Sequence, residues 1–128
     1  MNTPSYRMIS KVLAGPLKVT RFQLKSPFET EWQEEQIHMV FNNGVMATLL
    51  RSTVEELDKF MKRLEKQPVP VPVRIDLTDK VTVELFHEGE DNATIISVYE
   101  QGVVRARLGE SSAKLISSYL KDPREKDQ

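Results

Sequence analysis

The sequence predicts an α+β domain made by internal duplication of a ββββα unit: two antiparallel four-stranded sheets with one helix each, about a pseudo-twofold axis. Two observations predict it. First, IHMVFNNGVMATLLRSTVEEL (Ile37 to Leu57) aligns without a gap on IISVYEQGVVRARLGESSAKL (Ile95 to Leu115) at the 58-position spacing of Gly44 and Gly102. Ile37/Ile95, Val40/Val98, Gly44/Gly102, Val45/Val103, Leu50/Leu108 and Leu57/Leu115 are identical. Second, in both copies the apolar period changes at the same place from about two to about 3.6 residues, the switch from strand to helix. A chain of 128 residues is sized for one core, because halves folding separately would each bury too little surface. The expected organisation is therefore one domain, 1–128, with repeat 1 over 6–66, a Pro-rich joint at 67–72, repeat 2 over 73–121 and a charged, frayed tail at 122–128.

Each element has a local reason. YRMISKVLA (6–14) and PLKVTRFQLK (16–25) read as two strands turned at Gly15-Pro16. SPFETEWQEE (26–35) holds Pro27 and four carboxylates, which makes it a loop or arm carrying Phe28 and Trp32. Strands at 36–42 and 45–50 flank Asn43-Gly44, a pair that tolerates the positive φ values of a type I′ turn. Ser52-Thr53-Val54-Glu55 has the form of a capping box and predicts a helix start. Val54, Leu57, Phe60, Met61 and Leu64 then form one apolar stripe, ending near Lys66. Pro68, Pro70 and Pro72 cannot continue a helix, so 67–72 runs extended.

The second copy repeats the order with strands at 73–77, 81–87, 94–100 and 103–108 and a helix at 110–121, whose stripe is Leu115, Ile116, Tyr119 and Leu120. The core is expected around Val54, Leu57, Phe60, Met61, Leu64, Leu115, Ile116 and Tyr119.

Strand alternation assigns the faces of the second copy. Val73, Ile75, Leu77, Val81, Val83, Leu85, Val104, Ala106 and Leu108 point inward. Arg74, Asp76, Lys80, Thr82, Glu84, Phe86, Arg105 and Arg107 point outward. Carried through the spacing of 58, this phase turns Met46, Thr48 and Leu50 inward in the first copy. Ile37, Met39, Phe41, Val45, Ala47 and Leu49 are left on an apolar outer face that needs a cover, from the SPFETEWQEE arm, from another subunit or from a ligand.

Composition narrows the function classes. With 18 Lys and Arg against 19 Asp and Glu, the net charge of −1 gives no long-range pull on polyanions, so any nucleic-acid site must be a local patch. There is no cysteine, hence no disulfide and no thiolate nucleophile or ligand. No apolar run approaches membrane-span length, and the expectation is a cytoplasmic protein without a membrane partner. His38 and His87 lack a partner at metal-ligand or catalytic spacing. The five glycines make no phosphate-cradling motif. No catalytic residue, metal or cofactor is expected.

What remains is a basic and aromatic sheet surface: Lys18, Arg21, Lys25, Phe28 and Trp32 in the first copy, and Arg74, Lys80, Tyr99, Arg105 and Arg107 in the second, with Phe22 and Phe86 beside them. Single-stranded nucleic acid is held by such sets, cations on phosphate and aromatic faces on bases. The alternative for the same residues is cross-strand pairing of Arg105 and Arg107 with Asp76 and Glu84, with Phe22 and Phe86 as core or interface.

The tandem of four strands and a helix, with the strand-to-helix segments VMATLLRSTVEELDKFMKRL and VVRARLGESSAKLISSYL, resembles the single-stranded nucleic-acid-binding folds of the Whirly and Pur families over nearly the whole chain. That resemblance implies sheets facing the nucleic-acid strand and helices packed behind them, often at an oligomer centre. The sequence thus points to a non-catalytic binder of single-stranded DNA or RNA that forms homo-oligomers. A protein-interaction or assembly module using Ile37, Met39, Phe41, Val45 and Leu49 is the alternative, and a small-ligand sequestering protein is a third class.

Overall fold

The computed structural model describes residues 5–14 and 16–120. The tail at 122–128, Gly15 of the first turn and the Tyr119 side chain lie outside the described residues. The chain forms β1 (Ser5–Ala14), β2 (Leu17–Lys25), β3 (Gln36–Phe41), β4 (Met46–Leu50) and α1 (Arg51–Lys66). It then forms β5 (Val73–Asp76), β6 (Val81–Glu88), β7 (Ala93–Glu100), β8 (Val103–Gly109) and α2 (Glu110–Leu120). Both sheets are antiparallel meanders, β1-β2-β3-β4 and β5-β6-β7-β8, so the duplicated ββββα architecture is the one observed.

One apolar core serves both copies. Leu17, Val19, Ile37, Met39, Leu49, Val54 and Leu57 from the first pack in one cluster with Val83, Ile96, Val98, Leu108 and Ile116 from the second. α1 lies on β3 and β4, α2 on β7 and β8, the helices touch each other, and β4 meets β8. Val54, Leu57, Phe60, Met61 and Ile116 are buried as expected, with Leu64 and Leu115 half-buried at the margin. Each sheet thus has one face on the helices and one face open.

The equivalence of the copies differs from the gapless alignment in one respect. In the first copy, Phe41 N–H donates to the Val45 carbonyl (2.9 Å) and Gly44 N–H to the Phe41 carbonyl (3.0 Å). Of the loop residues only Gly44 has positive φ, +88°. This is a three-residue loop, a type I turn closed by a glycine bulge, and not the type I′ turn expected at Asn43-Gly44. The I′ geometry belongs to the second copy, where Gln101 (φ +50°) and Gly102 (φ +80°) join the paired residues Glu100 and Val103. The residue saved in that shorter loop reappears as a bulge, since Val98 pairs with Ala106 but Tyr99 with Val104, leaving Arg105 unpaired.

From β3 to α1 and from β7 to α2, outside the turns, equivalent positions are therefore 59 apart. Ile37 matches Ile96, Met39 matches Val98, Ala47 matches Ala106, Leu49 matches Leu108 and Thr53 matches Ser112, and all ten are buried. A one-residue slip exchanges the faces of a strand. That corrects the expected outer apolar face: Ile37, Met39, Phe41, Ala47 and Leu49 are core residues and Val45 is packed against the core, so none of them is an exposed interface. Met46 (64% exposed), Thr48 and Leu50 take the open face instead. In the second copy Val104 is also outward, 51% exposed, because the bulge at Arg105 reverses the phase there.

The capping box is not used either. α1 starts at Arg51 with Leu50 at the cap position and no side-chain cap bond. Its first N–H groups go to the preceding arm, Arg51 to the Glu35 carbonyl (2.8 Å) and Ser52 to the Glu34 carboxylate (2.8 Å). A carboxylate at a helix N-terminus also meets the positive end of the helix dipole. Leu50 N–H, on the free edge of β4, donates to the Glu100 carboxylate of the second copy (2.9 Å) and so ties the two units together.

Candidate nucleic-acid interface

Between Ser5 and Lys25 the chain carries five cations, Arg7, Lys11, Lys18, Arg21 and Lys25, and no carboxylate. With a net charge of −1 overall, the rest of the molecule totals −6. The fold keeps this asymmetry in space, because the segment is one β1–β2 hairpin at the edge of its sheet. β1 has a neighbour on one side only, and every described side chain from Ser5 to Lys11 is exposed except the half-buried Ser10.

Cross-strand register assigns the hairpin faces, because directly paired residues share a side. Leu17, Val19 and Arg21 pair with Phe41, Met39 and Ile37 on the core face. Lys18, Thr20 and Phe22 pair with Val40, His38 and Gln36 on the open face. Tyr6 and Met8 join that open face through Leu24 and Phe22. There the Tyr6 and Phe22 rings stack at 5.5 Å between centroids. Tyr6 is 56% and Met8 54% exposed, so the stack ends in solvent. Along the middle of the face, His38 Nδ1 and Thr48 Oγ1 share a 2.8 Å hydrogen bond.

On the other side of the hairpin the arm 26–35 returns. Gln33 N–H donates to the Leu24 carbonyl (2.8 Å) and Gln23 Nε2 to the Gln33 carbonyl (2.9 Å). This places the Trp32 ring under two cations, Arg7 at 4.2 Å and Lys25 at 5.0 Å from its centroid, a cation–π arrangement. Arg21 is engaged in a bidentate pair with Glu35, Nε–Oε2 2.5 Å and Nη2–Oε1 2.8 Å, both side chains mostly buried. Phe28 stands at the tip of the arm, 81% exposed.

The second sheet is electrostatically different. Arg74 approaches Glu84 at 3.6 Å and lies over the Tyr99 ring at 5.2 Å. Arg107 approaches Glu88 at 3.1 Å and lies over Phe86 at 5.3 Å. Arg105, on the bulge, reaches Glu100 at 3.7 Å. The Tyr99 hydroxyl donates to Glu84 in a short hydrogen bond. That bond, then desolvation and the Glu84 charge, raise the phenol above its ordinary value of 10.0. The three arginines thus have carboxylate partners, and those of Arg105 and Arg107 are Glu100 and Glu88 rather than the expected Asp76 and Glu84. Lys80 is exposed in the β5–β6 turn and, like Lys18, has no ion pair among the described residues.

Of the ten expected contact residues, Lys18 stands alone on the open face of the first sheet, and Lys25 and Trp32 are brought together behind it. Phe28 projects from the arm, and Arg21 is committed to Glu35. Arg74, Tyr99 and Arg107 cluster on the open face of the second sheet, while Lys80 and Arg105 line a cleft of about 820 Å³ between the copies with Thr48, Leu50 and Asp79. Tyr6, Arg7, Met8 and Lys11 were not anticipated. The signal that could have found them is the run of 21 residues from Ser5 to Lys25 without an acid.

Among the described residues no three His, Asp or Glu side chains stand together as a metal site, and no helix is long and apolar enough to cross a membrane. No family model, no curated protein and no solved structure matches the chain.

Proposed function

We propose that this protein is a non-catalytic binder of single-stranded DNA or RNA whose contact surface is the β1–β2 hairpin and the open face of its sheet. The observation that carries the reading is the acid-free hairpin, with five cations of which Lys11 and Lys18 share the open face with an exposed aromatic stack. Phosphates are attracted to Arg7, Lys11, Lys18 and Lys25, and bases extend the Tyr6–Phe22 stack, a sequence-tolerant contact because every base has a π face. Gln36, His38 and Thr48 supply donors and acceptors further along the same face. The open face of the second sheet is a weaker candidate, since Arg74, Arg105 and Arg107 must first give up their carboxylates.

The test is binding of a fluorescently labelled single-stranded oligonucleotide at low salt, by anisotropy. Lys11→Glu/Lys18→Glu should weaken it strongly, and Arg74→Glu/Arg107→Glu should weaken it far less. Absence of binding by the unmodified chain, or the reverse ranking of the two variants, removes this assignment. Homo-oligomeric assembly is the second reading. The observation favouring it is the uncovered edge of β1.

A further inference from the structure

The tip of the acidic arm and the edge of the basic hairpin are surfaces of opposite charge. The arm SPFETEWQEE carries Glu29, Glu31, Glu34 and Glu35 and no cation. Its base is held by Gln33 on Leu24, by Trp32 under Arg7 and Lys25, and by Glu35 on Arg21. Its tip is an ordered turn, with Glu29 N–H donating to the Ser26 carbonyl (3.1 Å) and Phe28 N–H to Ser26 Oγ (3.3 Å). That turn holds Phe28 out in solvent between exposed side chains, with Glu29 and Glu31 making no ion pair among the described residues. Phe28 is the most exposed of the large apolar side chains in the described residues.

The free edge of β1 has the opposite chemistry. Its backbone groups on that side have no strand partner, and Tyr6, Met8 and Ile9 form an exposed apolar run, with Lys11 following and no acid nearby in sequence. The arm is fastened to the Leu24 carbonyl and Arg21 of β2 and lies with Trp32 under Arg7 and Lys25, on the face opposite the Tyr6–Phe22 stack. A second copy can present its tip to the free edge with its own arm still fastened.

We infer that two copies of the chain associate by docking the Phe28 tip of one on the β1 edge of the other, reciprocated about a twofold axis. Phe28 packs on Met8 and Ile9, while Glu29 and Glu31 meet Lys11 and Lys18 of the second copy. Reciprocity gives the contact twice, as an isologous dimer does. Each contact is one aromatic anchor with a charged rim, the composition of a small, transient interface. The same lysines are offered to nucleic acid under the proposed function, but the dimer stands or falls independently of that reading.

Sedimentation velocity at about 100 µM chain, in the range of weak associations, tests it. The unmodified chain should dimerise at low salt and dissociate at high salt. Glu29→Lys/Glu31→Lys and Lys11→Glu/Lys18→Glu should each weaken self-association by about tenfold or more, because attractive pairs become like-charge pairs. An equimolar mixture of the two variants should recover a heterodimer, because one contact then pairs the native acidic tip with the native basic edge and the other pairs the same charges in reverse. Phe28→Ala, at an exposed position, should weaken association while leaving the circular dichroism and melting unchanged. A monomer under all conditions, variants that dimerise like the parent, or a mixture that stays monomeric would each overturn the proposal.

Discussion

The salt dependence of oligonucleotide binding can be worked from the hairpin alone. Five cations lie between Ser5 and Lys25, and Arg21 is bound bidentately to Glu35, which leaves four able to replace counterions on phosphate. For single strands the slope of log K against log salt is about −0.7 per phosphate neutralised, so four contacts give about −2.8. Raising monovalent salt fourfold, from 50 to 200 mM, should then weaken binding by roughly 50-fold. Lys11→Glu/Lys18→Glu removes two contacts, so the slope should fall to about −1.4 and the same salt change should cost only about sevenfold. Arg74→Glu/Arg107→Glu should leave the slope of the parent nearly unchanged. The assay is anisotropy of a labelled oligonucleotide at four or more salt concentrations, with folding checked by circular dichroism. A parental slope near zero, or a slope that drops for the second-copy variant and not for the hairpin variant, would refute the placement of phosphate on the hairpin.

Two stability predictions test the fold itself. Leu49→Ala should cost about 2–5 kcal/mol, read as a large drop in the urea midpoint, because Leu49 is a fully packed core residue, whereas Met46→Ala on the open face should stay within about 0.5 kcal/mol; the opposite order would restore the face assignment that the spacing of 58 implied. Gln101→Asn should stabilise by roughly 0.5 kcal/mol, since Asn adopts the left-handed conformation at less cost than Gln and φ there is +50°; a loss in thermal midpoint would show that the Gln101 side chain contributes something the turn geometry does not.

The ladder of elements was legible because its signals are local. The Pro-rich joint, the two strand-to-helix segments and the turn residues each act over a few positions, and the repeat let one copy check the other. Face assignment in the first copy failed for an equally local reason. Gly44 and Gly102 are both positive-φ glycines, so aligning them looks safe, yet they end loops of different length. A difference of one residue in the turn is restored by the bulge at Arg105, and no propensity in Val103-Val104-Arg105 announces a bulge. The second-copy phase was right at Val83, Leu85, Ala106 and Leu108 because it was read directly from alternation rather than carried across. The helix cap lies at Leu50, two residues before the Ser52 that the capping-box pattern indicates. The orphan N–H groups of α1 are met by Glu34 and Glu35, which lie in a loop whose path no sequence pattern specifies.

The candidate surface was half legible for a different reason. Aromatic and basic residues could be listed, but whether a cation is free depends on which carboxylate the fold brings to it. Arg74 and Arg107 stand on strands with polar neighbours, the pattern of an open face, and that face supplies Glu84 and Glu88, while Arg105 on the bulge reaches Glu100. The first copy has no carboxylate on β1 or β2 to do the same, and among the described residues the carboxylate that pairs with a hairpin cation comes from the arm, Glu35 on Arg21. The acids of the first copy lie in the arm and on α1, apart from the hairpin strands. Two units of the same fold therefore carry opposite electrostatic solutions. One neutralises its own open sheet, and the other separates its charges into a basic hairpin and an acidic arm whose tip faces outward. A sheet that neutralises itself gains little from a charged ligand, because each new contact replaces an existing one. Lys11 and Lys18, which have no ion pair among the described residues, can take an anion at no such cost, so selection for polyanion binding or for self-association would act on the first copy and leave the second free to serve as its scaffold.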